Sequence, residues 1–132
     1  MRATSVLGQC ASQLQYLVGR TSQFNLQLTQ TGSAMTGTVA LGNGTCDVIG
    51  SVAPNALTLA TTTCRPYDRT IQFFVCEGNN SEFVIKSLAM ETSVNGAMLT
   101  GKYIYVDDIK TPVGGPAVGV LTENGDVTMT RR

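Results

Sequence analysis

The sequence predicts an all-β fold: an antiparallel up-and-down (meander) β-barrel of eight to ten strands, with a short N-terminal helix as the one helical option. Three observations lead there. Apolar and polar residues alternate with period two along most of the chain, the spacing that turns one face of a strand to the core and the other outward. Turn residues interrupt the alternation every ~8–12 residues, the rhythm of an all-β domain. The implied connections are short, so consecutive strands pair as antiparallel neighbours. A meander of that many strands hides its edges and its apolar face by rolling up.

The elements follow in order. Met1-Arg2-Ala3-Thr4-Ser5 carries a charge but no apolar run of the kind a signal peptide needs. The expectation is a mature or trimmed form, or a fragment, of an exported chain. Residues 11–18 place Leu14, Leu17 and Val18 at a helix-like spacing and read as a short helix or as a first strand. Phe24, Leu26 and Leu28 then alternate with Asn25, Gln27 and Thr29, and Gly32-Ser33 turns the chain into Met35, Gly37, Val39 and Leu41. Gly42-Asn43-Gly44 is the next turn, with its glycines expected at positive φ. Val48, Gly50 and Val52 lead through Pro54-Asn55 to Leu57, Leu59 and Thr61. Arg65-Pro66-Tyr67-Asp68 reads as a turn, and Ile71, Phe73 and Val75 as a strand reaching Cys76. Gly78-Asn79-Asn80 introduces a long strand over 82–92, closed by the hairpin signal Asn95-Gly96. Leu99, Gly101, Tyr103 and Tyr105 share the next strand face. A loop over 107–112, a strand over 117–122, a hairpin turn at Asn124-Gly125 and a last strand with Val127 and Met129 complete the chain. Mid-strand Gly37, Gly50, Gly101 and Gly119 suit the bends of a barrel.

Composition bounds the function. A chain of 132 residues is one domain by size. Nine Lys and Arg balance nine Asp and Glu, so the basic excess of a nucleic-acid or anionic-membrane surface is missing. No apolar run is long enough for a transmembrane helix. Histidine is absent, which removes the commonest general base and the commonest metal ligand.

Four cysteines, Cys10, Cys46, Cys64 and Cys76, show no zinc-type spacing. In a small, charge-poor chain they read as two disulfides and an oxidising, extracytoplasmic compartment. With Pro54-Asn55 at the hairpin centre, Val52 faces Leu57 and Gly50 faces Leu59, which leaves Cys46 facing Thr63. A Cys46–Cys64 bridge therefore needs a bulge. Cys10–Cys76 would then tether the N-terminal segment, although four cysteines allow three pairings. Asn43-Gly44-Thr45 and Asn79-Asn80-Ser81 match the glycosylation sequon, meaningful only in a eukaryotic secretory route.

The stretch from Leu26 to Val39, with Leu26, Leu28, Gln30, Gly32 and Gly37 in place, resembles a hairpin of calycin-like (avidin- and lipocalin-type) meander barrels of secreted bacterial proteins. Gly50-Ser51-Val52, Met98-Leu99-Thr100-Gly101 and Val127-Thr128-Met129 resemble such strands as well. The resemblance implies a barrel able to enclose an apolar ligand. It carries over no functional residue, because the chain has no Trp and so lacks both the lipocalin Gly-x-Trp and the Trp side chains that hold biotin.

The chemistry expected is non-catalytic, with no cofactor and no metal. A Ser or Cys nucleophile lacks a His partner. Asp107-Asp108, the one adjacent carboxylate pair, reads as a solvated turn, with a calcium site as its functional alternative. The candidate ligand-binding residues are Phe24, Phe73, Leu99, Tyr103 and Tyr105 on inward faces, which either fill the core or line a small apolar pocket with phenolic handles. The outward faces are Thr, Ser, Gln and Asn rather than Lys and Glu, which suits subunit packing. The first expectation is a barrel binding a small apolar ligand, as a monomer or homo-oligomer. The second is an assembly subunit that self-associates through its β surface.

Overall fold

Period-two alternation produces strands throughout. A computed structural model of the chain describes residues 1–67, 73–76, 79–111 and 113–130, and for 73–75 and 79–80 the backbone only. The elements are β1 (Arg2–Gly8), two single-turn 3-10 helices (Ala11–Gln13 and Gln15–Leu17), β2 (Asn25–Thr31), β3 (Ala34–Leu41), β4 (Gly44–Ala53), β5 (Ala56–Pro66), β6 (Phe73–Cys76), β7 (Asn79–Asn95), β8 (Met98–Lys110) and β9 (Ala117–Thr130). They form one antiparallel sheet in the order β1-β9-β8-β7-β5-β4-β3-β2, the meander order with β1 added beside β9. β6 pairs with Asn79–Glu82 of β7, on the side that β5 takes further along at Ala89–Ser93.

The ladder is not closed, and β1 and β2 are its edges. A single bridge, Arg2 opposite Thr21, joins β1 to the segment just before β2. Backbone hydrogen bonds from Ser22 N to Met1 O (2.8 Å), Ala3 N to Arg20 O (3.1 Å) and Gly19 N to Ala3 O (2.8 Å) flank it. The sheet is nevertheless rolled. Val39 and Cys46 of β3 and β4 share one buried cluster with Tyr103 and Val127 of β8 and β9, and Met1, Leu26 and Leu28 pack against it. A flat sheet would keep β2 and β9 six strands apart.

A second cluster fills one end. Leu14, held between the two 3-10 turns, packs on Val6, Ile109 and Leu121. The Gln15 side chain donates to Val6 O (3.1 Å), and the Cys10–Cys76 disulfide ties this plug to β6.

Several expectations are corrected. Of the two readings of residues 11–18 the strand is corrected and the short helix holds, as two single-turn 3-10 helices. Leu14, with Ala11 and Leu17 beside it, buries one plug face, which does not sustain longer helix. The first strand lies upstream at Arg2–Gly8, where only Ala3 and Val6 are buried, three residues apart across a bulge between Ala3 and Ser5. Asp107 and Asp108 lie on β8 rather than in a loop. Asn124-Gly125 is no hairpin turn, because β9 runs unbroken through it. Gly42 and Gly44 do not have positive φ. Gly44 instead permits close approach, since a Cβ there would lie 2.6 Å from Arg65 O and 2.9 Å from Ile85 Cγ2. Residues 65–68 do not begin a turn at Arg65, because β5 continues to Pro66. Asp68 and Ile71 fall outside the described residues.

The disulfide register holds. Val52 faces Leu57, Gly50 faces Leu59, and a bulge between Asp47 and Val48 moves Cys46 opposite Cys64. Both pairs, Cys46–Cys64 and Cys10–Cys76, are at bonding distance, consistent with an oxidising environment.

Candidate functional site

Alternation along β8 sends Tyr103, Tyr105, Asp107 and Ile109 to the interior face, and register places Glu123 of β9 opposite Tyr105. Tyr103, Tyr105, Asp107 and Glu123 form a polar island inside the roll. Tyr103 is buried, and its hydroxyl donates to Glu123 Oε1 (2.5 Å). The Tyr105 hydroxyl donates to Asn43 Oδ1 (2.9 Å), and Asn43 Nδ2 reaches Asp107 Oδ1 at 3.4 Å. Asn43 lies in the β3–β4 turn, so the contact spans the mouth of the roll from β3–β4 to β8. A sequon asparagine thereby spends its amide on the interior.

Burial sets the electrostatics. Asp107 is 6% exposed, and desolvation pushes its carboxyl up to about 7 against the pull of the Tyr105 and Asn43 hydrogen bonds. Glu123 and Asp108 add like-charge repulsion. Both tyrosine hydroxyls are driven well above their ordinary value, by burial first and by the neighbouring carboxylates after it. Each carboxylate thus already has a donor within the chain, and the island acts as a cross-tie between strands. No group of three or more Cys, Asp or Glu suited to a metal occurs among the described residues.

The sequence-predicted binding residues divide. Tyr103 is buried in the main cluster, and Phe24 and Tyr105 pack against it. Leu99 is half-buried on the same β8 face. The Phe73 side chain lies outside the described residues. The interior crevice lined by Leu26, Val39, Val48, Leu59, Leu88 and Met90 measures about 10 Å³, room for one water. Asn43, Glu123 and Asp107 were not picked out as a group from sequence. Period two continued two residues beyond Tyr105 would have found Asp107, but an Asp-Asp pair reads as loop.

The outer surface has a different character. Leu7 (59% exposed), Ile104 (49%), Val118 (50%) and Val120 (37%) project outward from β1, β8 and β9. Register sets polar residues among them: Leu7 faces Thr122, Ile104 faces Asn124 and Val120 faces Asp108. Comparison with protein-family models, with curated proteins and with solved structures finds no match to this chain.

Proposed function

We propose that this protein is a non-catalytic, extracytoplasmic assembly subunit that associates with copies of itself through its β surface. The observation that carries the reading is that four apolar side chains on the outer side of β1, β9 and β8, Leu7, Ile104, Val118 and Val120, stand in solvent while the interior is occupied by side chains. An enclosed site for a small apolar ligand needs roughly 300 Å³ or more, and the interior crevice offers about 10 Å³. Neutrality supports the reading as well. A chain with nine charges of each sign has no net repulsion between copies. The two disulfides and the absence of histidine fit a rigid, non-catalytic module of an oxidising compartment.

Sedimentation velocity from micromolar to millimolar protein tests this, with Ile104→Lys/Val120→Lys alongside. Concentration-dependent association that weakens in the variant is expected. A wild-type monomer throughout overturns the reading.

A further inference from the structure

We infer that two copies meet face to face across β8 and β9, about a two-fold axis that runs along these strands and sets Lys102 of each copy over Asp126 of the other. The inference rests on the self-association reading and names the contact it uses.

Register lays four charges in one row across the outer face. Glu91 of β7 faces Lys102 of β8, Lys102 faces Asp126 of β9, and Asp126 faces Arg2 of β1. Residues opposite one another in a ladder stand on the same side of the sheet, and all four of these are exposed. Along the row the signs alternate: minus, plus, minus, plus. The next outward row, Ala89, Ile104, Asn124 and Ser5, carries no charge, and neither does the one after it, Ser87, Val106, Thr122 and Leu7. Ile104 and Leu7 therefore stand in an uncharged field with the charged row at its margin, the layout of an interface with an uncharged centre and a polar rim. At the other margin Lys86 answers Asp108 within the same chain (3.7 Å).

The order of the signs selects a second copy as the occupant. A half-turn about an axis along the strands, between β8 and β9, reverses the row. β8 then lies over β9 of the other copy, and β7 over β1. Lys102 meets Asp126 and Glu91 meets Arg2, each pair formed twice, and no like charges in the row meet. A half-turn about an axis along the row does the opposite and lays each charge on its own counterpart. The first axis also keeps the strands of the two copies nearly aligned, one of the two ways in which sheets pack face to face. It sets Ile104 over Asn124 and Leu7 over Ser87, with no charge on either side, and Val120 over Asp108, whose charge Lys86 answers. Within one copy Lys102 and Asp126 already pair in the open. An exposed pair of that kind is worth little by itself, so both side chains can also serve a facing copy. A two-fold contact is self-complementary and closed, so it makes a dimer.

The test is sedimentation velocity of the disulfide-intact protein, of Lys102→Glu, of Asp126→Lys, and of an equimolar mixture of the two variants. The two side chains are 76% and 50% exposed, so neither substitution disturbs the core, and unchanged circular dichroism confirms that each variant folds. Alone, each variant sets like charges against one another across the axis, and association at least roughly tenfold weaker than wild type is expected. In the mixture the two reversed charges meet one another and the two unreversed charges meet one another. Heterodimers are then expected at close to wild-type affinity. Undiminished association of either variant alone overturns the β8–β9 contact and leaves self-association standing. Variants that stay monomeric when mixed, while wild type associates, overturn the two-fold arrangement. Wild type that is monomeric at every concentration overturns both the contact and the reading, and leaves this face to a partner of another kind.

Discussion

The Tyr103 ring lies against the backbone of Gly125, its partner across the β8–β9 ladder: a Cβ on Gly125 would fall 2.6 Å from Tyr103 Cε1 and 2.1 Å from the Arg2 carbonyl oxygen. The glycine lets the largest fully buried side chain cross the roll where β1, β9 and β8 meet. Gly125→Ala forces either the ring or the β1 backbone to move. The expected cost is about 1–3 kcal/mol, that of overpacking a filled core, read as a lowered midpoint in thermal unfolding. A midpoint equal to wild type would show that the contact relaxes freely.

The plug makes a separate prediction. Leu14 is 1% exposed and seals the end of the roll over Val6, Ile109 and Leu121. Leu14→Ala should cost roughly 2–5 kcal/mol, the usual range for a buried leucine truncated to leave a cavity. Urea unfolding followed by circular dichroism measures it, and a cost below about 1 kcal/mol would place the plug outside the cooperative core.

The two disulfides should differ in worth. Cys10–Cys76 spans 66 residues and Cys46–Cys64 spans 18. The loop entropy removed from the unfolded chain gives about 4 kcal/mol for the first and about 3 kcal/mol for the second. Guanidinium unfolding of the two paired Cys→Ala variants should rank them in that order.

Asp107 makes stability depend on pH. Its folded-state carboxyl is raised to about 7 by burial, so the folded chain holds this proton more tightly than the unfolded one. Its effect is most favourable below the ordinary carboxyl range and is lost as pH rises through about 7. Asp107→Asn removes that dependence. Relative to wild type, the variant should gain on the order of 3 kcal/mol between pH 4 and pH 8, as read by urea unfolding of both proteins at each pH. A constant difference would contradict a buried, proton-holding Asp107.

Strand existence and much of the register were legible in the sequence because side-chain alternation depends only on the local pleat. Val52 against Leu57, and the bulge that brings Cys46 to Cys64, follow from counting outward from Pro54-Asn55. What local pattern hides is what distant strands supply. Arg2–Gly8 is a strand because β9 offers it an edge, not because its own residues alternate well. Asn124-Gly125 reads as a turn in isolation, yet Tyr103 needs the space that the glycine leaves. Asp107 looks like loop beside Asp108 until Asn43, brought across from the β3–β4 turn, supplies a donor. Which strand lies at the edge of the sheet is a property of topology that composition does not carry.

Self-association is the claim on which this account stands, and native mass spectrometry of the protein kept free of reducing agent tests it most directly. The account predicts dimers or larger even-numbered assemblies of unmodified subunits, each lighter by the four hydrogens lost in forming two disulfides. Monomers at every concentration, or monomers each carrying a retained small molecule, would contradict it.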